Sequence, residues 1–146
     1  MSIKRVTPTE LVWVNQQYER IGFQPSTLDH EVIAIVMSQD HFAGVGRLVK
    51  LNEHEAELGG IYILDKFRGQ SLAHEVVSFL VEESKRLGLK TVYCIPFEEL
   101  QHFYKKFGFH EFDISAPAVD SKILTKYHWC LETYDKNVLL LKLSHD

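Results

Sequence analysis

Between Ile61 and Ala73 the chain changes character over one short stretch, and that change restricts the fold more than any other feature. The run Ile61-Tyr62-Ile63-Leu64 reads as the end of a strand, and Asp65-Lys66-Phe67-Arg68-Gly69-Gln70 is a polar loop with one glycine. From there the apolar residues take up helical spacing. Leu72, Val76, Phe79, Leu80 and Leu87 share one face, Glu75, Glu82, Lys85 and Arg86 the other, and Gly88 is the expected stop. A strand feeding a helix through a tight loop belongs to a sheet with helices on its faces. It also leaves successive backbone N–H groups unpaired at the positive end of the helix dipole, a geometry that binds phosphate or pyrophosphate. The segment is not a P-loop, because no G-K-S/T follows, and it is not G-x-G-x-x-G. A plain β–α connection is the competing reading.

The rest of the chain supplies the other layers. Ser2 to Val6 is a candidate short strand. Thr7-Pro8-Thr9-Glu10 starts a helix with Leu11, Val14, Tyr18 and Ile21 at helical spacing and Gly22 as its stop. Glu31 to Met37, Phe42 to Leu51 and Ala56 to Leu64 are strands joined by turns at Gln39-Asp40 and Asn52-Glu53-His54, close enough for an antiparallel meander. Thr91 to Ile95 is a compact buried strand ended by Pro96, Glu98 to Phe107 a short helix stopped by Gly108, and Phe109 to Phe112 a further strand. Asp120 can cap a helix carrying Ile123, Leu124, Tyr127, Leu131 and Tyr134, and Val138 to Leu143 closes the chain as a strand. The predicted order is β-α-β-β-β-α-β-α-β-α-β, a mixed α/β sheet. With no repeat, low-complexity stretch or flexible linker, a single domain over residues 1–146 is expected.

Composition narrows the function classes. Sixteen basic residues against 20 acidic ones give a charge of −4, without the basic surplus of a general nucleic-acid binder. The longest apolar runs, such as Val32 to Met37, are too short to span a bilayer, and no signal segment opens the chain, so a cytoplasmic protein without membrane partners is expected. Cys94 and Cys130 sit in apolar surroundings and read as small buried hydrophobes rather than a disulfide. His54-Glu55-Ala56-Glu57 lacks the second histidine of H-E-x-x-H, so no metal site is expected.

The loop Arg68-Gly69-Gln70-Ser71-Leu72-Ala73 resembles the acyl-CoA-binding motif of the GNAT superfamily of N-acetyltransferases, Q/R-x-x-G-x-G/A, between that family's fourth strand and third helix. Arg68 and Ala73 match, and Ser71 stands where the family usually has glycine. About 30 residues later, Phe103-Tyr104-Lys105-Lys106-Phe107-Gly108-Phe109 resembles the family's F-Y-x-x-x-G-F segment. The resemblance covers roughly residues 30–143 and implies a largely antiparallel central sheet flanked by helices, with a splayed strand pair holding acyl-CoA. It implies acetyl-CoA as co-substrate, held by Ile61, Tyr62, Ile63, Arg68, Gly69, Gln70, Ser71, Leu72, Ala73 and His74.

Attack of an amine on a thioester requires a neutral amine, a donor for the developing oxyanion and a proton for the departing thiolate. Glu57, eleven residues before Arg68, matches in spacing the catalytic glutamate of the histone-acetyltransferase branch. A solvated strand end is an equal reading for Glu57 and the better one for Glu55, which shares its face. Tyr104 matches the tyrosine that many members use to protonate the thiolate. The oxyanion donor is expected among the N–H groups of Ile61 to Ile63. Arg68 either meets a phosphate or pairs with Asp65, and Lys105-Lys106 either meets the CoA 3′-phosphate or forms a solvated face. Trp13, Tyr18, Trp129 and Tyr134 either line an acceptor pocket or pack in the core.

The implied activity is acetyl transfer to a primary amine by direct attack in a ternary complex, since no cysteine in the motif blocks suggests an acyl-enzyme. The acidic balance favours a cationic acceptor, and the chain length a small molecule. A protein lysine or N-terminus is the alternative acceptor. A non-catalytic acyl-CoA-binding module would keep the loop without needing Glu57 or Tyr104. A homodimer is compatible with all three.

Overall fold

The structure is a computed structural model and describes residues 1–145. Its strands are β1 (Ser2–Arg5), β2 (Glu31–Ser38), β3 (His41–Lys50), β4 (Glu55–Ile63), β5 (Thr91–Cys94) and β6 (Leu141–Ser144). The helices are α1 (Leu11–Arg20), α2 (Leu72–Arg86), α3 (Gln101–Lys105) and α4 (Ser121–Thr133). The strands lie in chain order in one sheet; β1–β2, β2–β3 and β5–β6 are antiparallel and β4–β5 is parallel. This is the mixed, mostly antiparallel architecture that the sequence predicts. The parallel ladder is short, joining Glu55–Glu57 to Thr91–Tyr93, while β4 runs on to Ile63 without a β5 partner. The chain forms two compact units, one of residues 1–49 and 58–83, the other of residues 50–57 and 84 onward.

In the first unit, Gln39 and Asp40 both adopt positive φ (52° and 64°) and close a two-residue turn between Ser38 and His41. The hairpin strand β2 is buried along almost its whole length, so both of its faces are covered. On one face Ile33, Ile35 and Val45 pack with Val14 and Tyr18 of α1. On the other, small residues let α2 approach. A Cβ added at Gly46 would lie 2.5 Å from Val76 Cγ1 and 3.2 Å from Leu80 Cδ1. The close approach of α2 at Val76 and Leu80 thus depends on the absence of a side chain at Gly46.

In the second unit, Tyr93 of β5 packs with Leu51, Ile123 and Leu140. Asp120 caps α4 as predicted, its carboxylate accepting from Lys122 N–H at 2.7 Å. The short helix begins as a 3-10 turn at Glu98–Leu100 before α3, and Gly108 ends it at φ 100°.

Two predicted strands are corrected. Phe109 to Phe112 forms no strand. The Phe109 N–H turns back to Tyr104 O at the helix end, and only His110 bridges to Lys142 before the Asp113–Ala116 turn diverts the chain. The final strand starts at Leu141 rather than Val138, because the β5 side is interrupted at Pro96, which has no N–H to donate. Val138 keeps only an isolated bridge to Phe97.

Candidate active site

After β4 the chain makes a 3-10 turn at Asp65–Phe67, anchored by the buried Phe67 ring, and then the exposed loop 68–71. Gly69 (φ 83°) and Ser71 (φ 61°) are both left-handed, and α2 begins at the next residue. Among the described residues, the backbone N–H groups of Gly69, Gln70, Ser71, Leu72 and Ala73 donate to no protein acceptor. Successive N–H groups in such a turn, at the positive end of a four-turn helix, make an anion-binding concavity. Ser38 Oγ donates to Gln70 Oε1 at 3.0 Å and ties the loop to the end of β2. The positive φ of Ser71 is a strained conformation, since an L-residue pays about 1–2 kcal/mol to be left-handed.

The Arg68 guanidinium is committed locally. It donates to Ile63 O at 3.2 Å and meets Asp65 at 3.1 Å, with both side chains largely exposed. Ile61 and Tyr62 are half-buried, Ile63 is buried, and His74 lies exposed in the first turn of α2. One residue before Ile61, Gly60 within β4 has a left-handed backbone, at φ 62°. Its carbonyl accepts from the hydroxyl of Tyr18 at 2.7 Å. Arg47 stacks 4.4 Å from the centre of that ring and donates to Gln24 O (3.0 Å) and Ser26 Oγ (2.5 Å), facing Glu31 at 3.8 Å. Tyr18 is therefore core, with its phenol pushed up by burial, and it also shapes the site strand. An arginine in the middle of an apolar strand was the available signal for this network. Trp13 lines a shallow cavity of about 370 Å³ with Asp40, His41, Phe42, Leu64 and Lys66.

In the second unit Glu57 is buried, and both of its oxygens accept from the Nζ of Lys126, at 2.9 and 2.7 Å. The sequence reading missed Lys126. Its signal was the four-residue spacing of Lys122, Lys126 and Cys130, which puts all three on one side of α4. Lys122 Nζ donates to Leu51 O at 2.7 Å and Cys130 is buried, so that side faces the start of β4. Glu55 is occupied differently, accepting from Tyr93 Oη at 2.9 Å and Asn52 Nδ2 at 2.8 Å.

Tyr104 of α3 is buried, its ring edge-on to Phe103 and Phe109 at 5.0 and 5.8 Å. Its hydroxyl makes no hydrogen bond to the described residues. Burial, and secondly the Cys94 thiol, push its phenol above the ordinary value of 10.0. Proton donation from it is thus less balanced than an unperturbed tyrosine predicts. Glu57 acts on Cys94 at the end of β5, and Cys94 in turn acts on Tyr104. Burial raises this thiol well above its ordinary range, with Glu57 adding to the effect. Trp129 is 55% exposed and Tyr134 38%, so neither is core. No group of three or more His, Cys, Asp or Glu side chains among the described residues could hold a metal ion, and no helix is long and apolar enough to cross a membrane.

No curated protein matches the chain. Solved structures share its fold at low identity. Rv2747 from Mycobacterium tuberculosis, in complex with CoA and a further ligand, is 14% identical with a TM-score of 0.76 over 100% of both chains. An aminoglycoside 6′-N-acetyltransferase complexed with coenzyme A is 13% identical with a TM-score of 0.70, covering 99% of this chain and 97% of that one. A ribosomal-protein alanine N-acetyltransferase from Escherichia coli is 15% identical with a TM-score of 0.70, covering 98% and 92%. The profile of the Acetyltransferase (GNAT) family matches residues 5–109, a span that holds Glu57, the Gly69–Ala73 loop and Tyr104. On that match the chain belongs to the acetyltransferase (GNAT) family.

Proposed function

We propose that the protein is a cytoplasmic, single-domain N-acetyltransferase that moves an acetyl group from acetyl-CoA to the primary amine of a small molecule. The observation that carries this reading is the run of unpaired N–H groups from Gly69 to Ala73 at the head of α2, in a member of an acetyltransferase family. Five successive unpaired donors and a helix dipole suit a pyrophosphate and need no arginine, which fits the local commitment of Arg68. Arg68 and His74 flank this cradle, and Ile61 to Ile63 offer strand backbone to the pantetheine arm. Bound acetyl-CoA supplies the activated thioester.

Glu57 takes the proton of the acceptor ammonium. Its burial keeps the carboxylate away from competing water, and its present partner already shows that it accepts hydrogen bonds from an ammonium. Tyr104 supplies the proton for the departing thiolate. Its raised phenol stays protonated at neutral pH, and its hydroxyl has no partner to lose. An N–H near Ile61 holds the oxyanion, aimed by the left-handed backbone of Gly60. Direct attack needs no acyl-enzyme, and the thiols of Cys94 and Cys130 are held protonated by burial.

The test is release of free CoA thiol from acetyl-CoA over a panel of amines, with peptides carrying lysine and a free N-terminus in parallel. Thermal protection by CoA, about 2.7 kcal/mol at a hundredfold excess over Kd, checks the cradle separately. Release with peptides alone would move the acceptor to protein. Protection without release on any acceptor would leave a binding module and overturn the enzyme reading.

A further inference from the structure

We infer that Lys126 is a specificity residue for an acceptor that carries a carboxylate beside its amine, an α-amino acid in zwitterionic form. The inference rests on Glu57 being the group that meets the acceptor ammonium. In the structure that position is taken, since one Nζ sits on both oxygens of Glu57. The two partners differ in freedom. The side chain of Glu57 is 8% exposed and that of Lys126 is 47% exposed, so the carboxylate is fixed and the lysine can move aside.

An incoming ammonium must replace Lys126 ion for ion, because a buried carboxylate left without a cation is strongly disfavoured. Lys126 cannot go far. Its helix is held by the Asp120 cap, by Asn52 Nδ2 on Asp120 at 2.9 Å, by Lys122 on Leu51 O and by the fully buried Ile123. The displaced ammonium therefore stays within a side-chain length of the acceptor ammonium, where two like charges repel. The other ionisable groups beside Glu57, the thiols of Cys94 and Cys130, are kept neutral by burial and offer no relief. A carboxylate one carbon from the acceptor nitrogen removes the repulsion. Its ammonium meets Glu57, its carboxylate meets Lys126, and one ion pair becomes two. The resting pair is a template of opposite sign for a zwitterion.

The experiment compares steady-state CoA release on L-α-amino acids and on their carboxamides, which keep the amine and side chain and lose the charge. The parent should prefer the acids. Lys126→Gln should raise KM for the acids roughly 10- to 100-fold, the worth of one charge-assisted contact, and leave KM for the carboxamides unchanged or lower. Lys126→Arg keeps a cation and should keep the preference for acids, and melting curves verify that each variant is folded. Equal changes on acids and carboxamides in Lys126→Gln, or a parent without preference, would overturn this inference alone. A parent silent on every amine would overturn the transferase reading and this inference with it.

Discussion

Ser71 offers a test in which backbone and side chain can be separated. It holds φ 61°, next to α2, with its N–H in the cradle. Ser71→Gly removes a left-handed L-residue, relieving about 1–2 kcal/mol of strain. Glycine also has a freer unfolded chain, which costs about 0.5–1 kcal/mol. The net gain expected is about 0.5–1 kcal/mol. Unfolding entropy of about 2.1 cal/mol/K per residue over 146 residues corresponds to roughly 0.3 kcal/mol per degree, so Tm should rise by about 2–3 °C. Ser71→Ala is the control, because it deletes the hydroxyl and keeps Cβ and the strain; its Tm should not rise. Both variants keep all the N–H donors and should keep protection by CoA. Calorimetry without and with CoA reads both quantities. A Ser71→Gly protein that melts no higher than Ser71→Ala would refute the strain argument, and loss of CoA protection in Ser71→Ala would mean that the hydroxyl, not the backbone, holds the ligand.

Glu57→Gln should lower turnover at least ~10²-fold at neutral pH with partial recovery at high pH, where more acceptor amine is already neutral; a flat, parent-like pH–rate profile would remove Glu57 as the base. Tyr104→Phe deletes a hydroxyl without a protein hydrogen bond, so Tm should hold while turnover falls roughly 10- to 10³-fold; lost stability with full turnover would make Tyr104 a packing residue. Gly46→Ala puts a methyl 2.5 Å from Val76 and 2.6 Å from Ile61, an overpacking of about 1–3 kcal/mol, and a Tm within a degree of the parent would show that α2 yields freely. Alkali should destabilise the fold from about pH 9. The buried Cys94 thiol and Tyr104 phenol ionise in the unfolded chain near their ordinary values of 9.0 and 10.0 but resist it when folded, so the folded state binds more protons and stability falls as pH rises. Cys94→Ala should make that loss shallower in melts recorded against pH, with the buried Cys130 thiol still contributing.

The elements legible in the sequence were those with a strong local signal. The change of period at Ile61–Ala73, the Asp120 cap and the Gln39-Asp40 turn each depend on residues adjacent in the chain. Phe109 to Phe112 has strand composition, but it meets the edge of β6 only at His110 before the Asp113–Ala116 turn leads the chain away, and such turning is a property of the assembled fold. Val138 to Leu140 fails for a related reason, because the interruption lies at Pro96, just beyond β5 and distant in the chain. The site divides in the same way. The loop 68–73 is contiguous and stood out through its resemblance to a family motif, whereas the partner of Glu57 lies 69 residues away on a helix recognised only by its apolar face. Tyr18 shows the same limit, since its ring reads as core and its hydroxyl has a task that no local pattern announces.

The bond from Tyr18 to Gly60 also ties the order of assembly to the shape of the site strand. The two residues are 42 positions apart, so the Gly60 carbonyl cannot be held until α1 has docked. A chain that has paired β2 with β3 but not yet seated α1 has a β4 whose carbonyl at Gly60 is unclamped. The same dependence operates in reverse in the folded protein. When α1 detaches transiently, the clamp opens with it, and the amides of α1 should exchange hydrogen with solvent as one cooperative unit rather than residue by residue. The helix at the start of the chain is thus a switch on the local order of the strand that carries the candidate site.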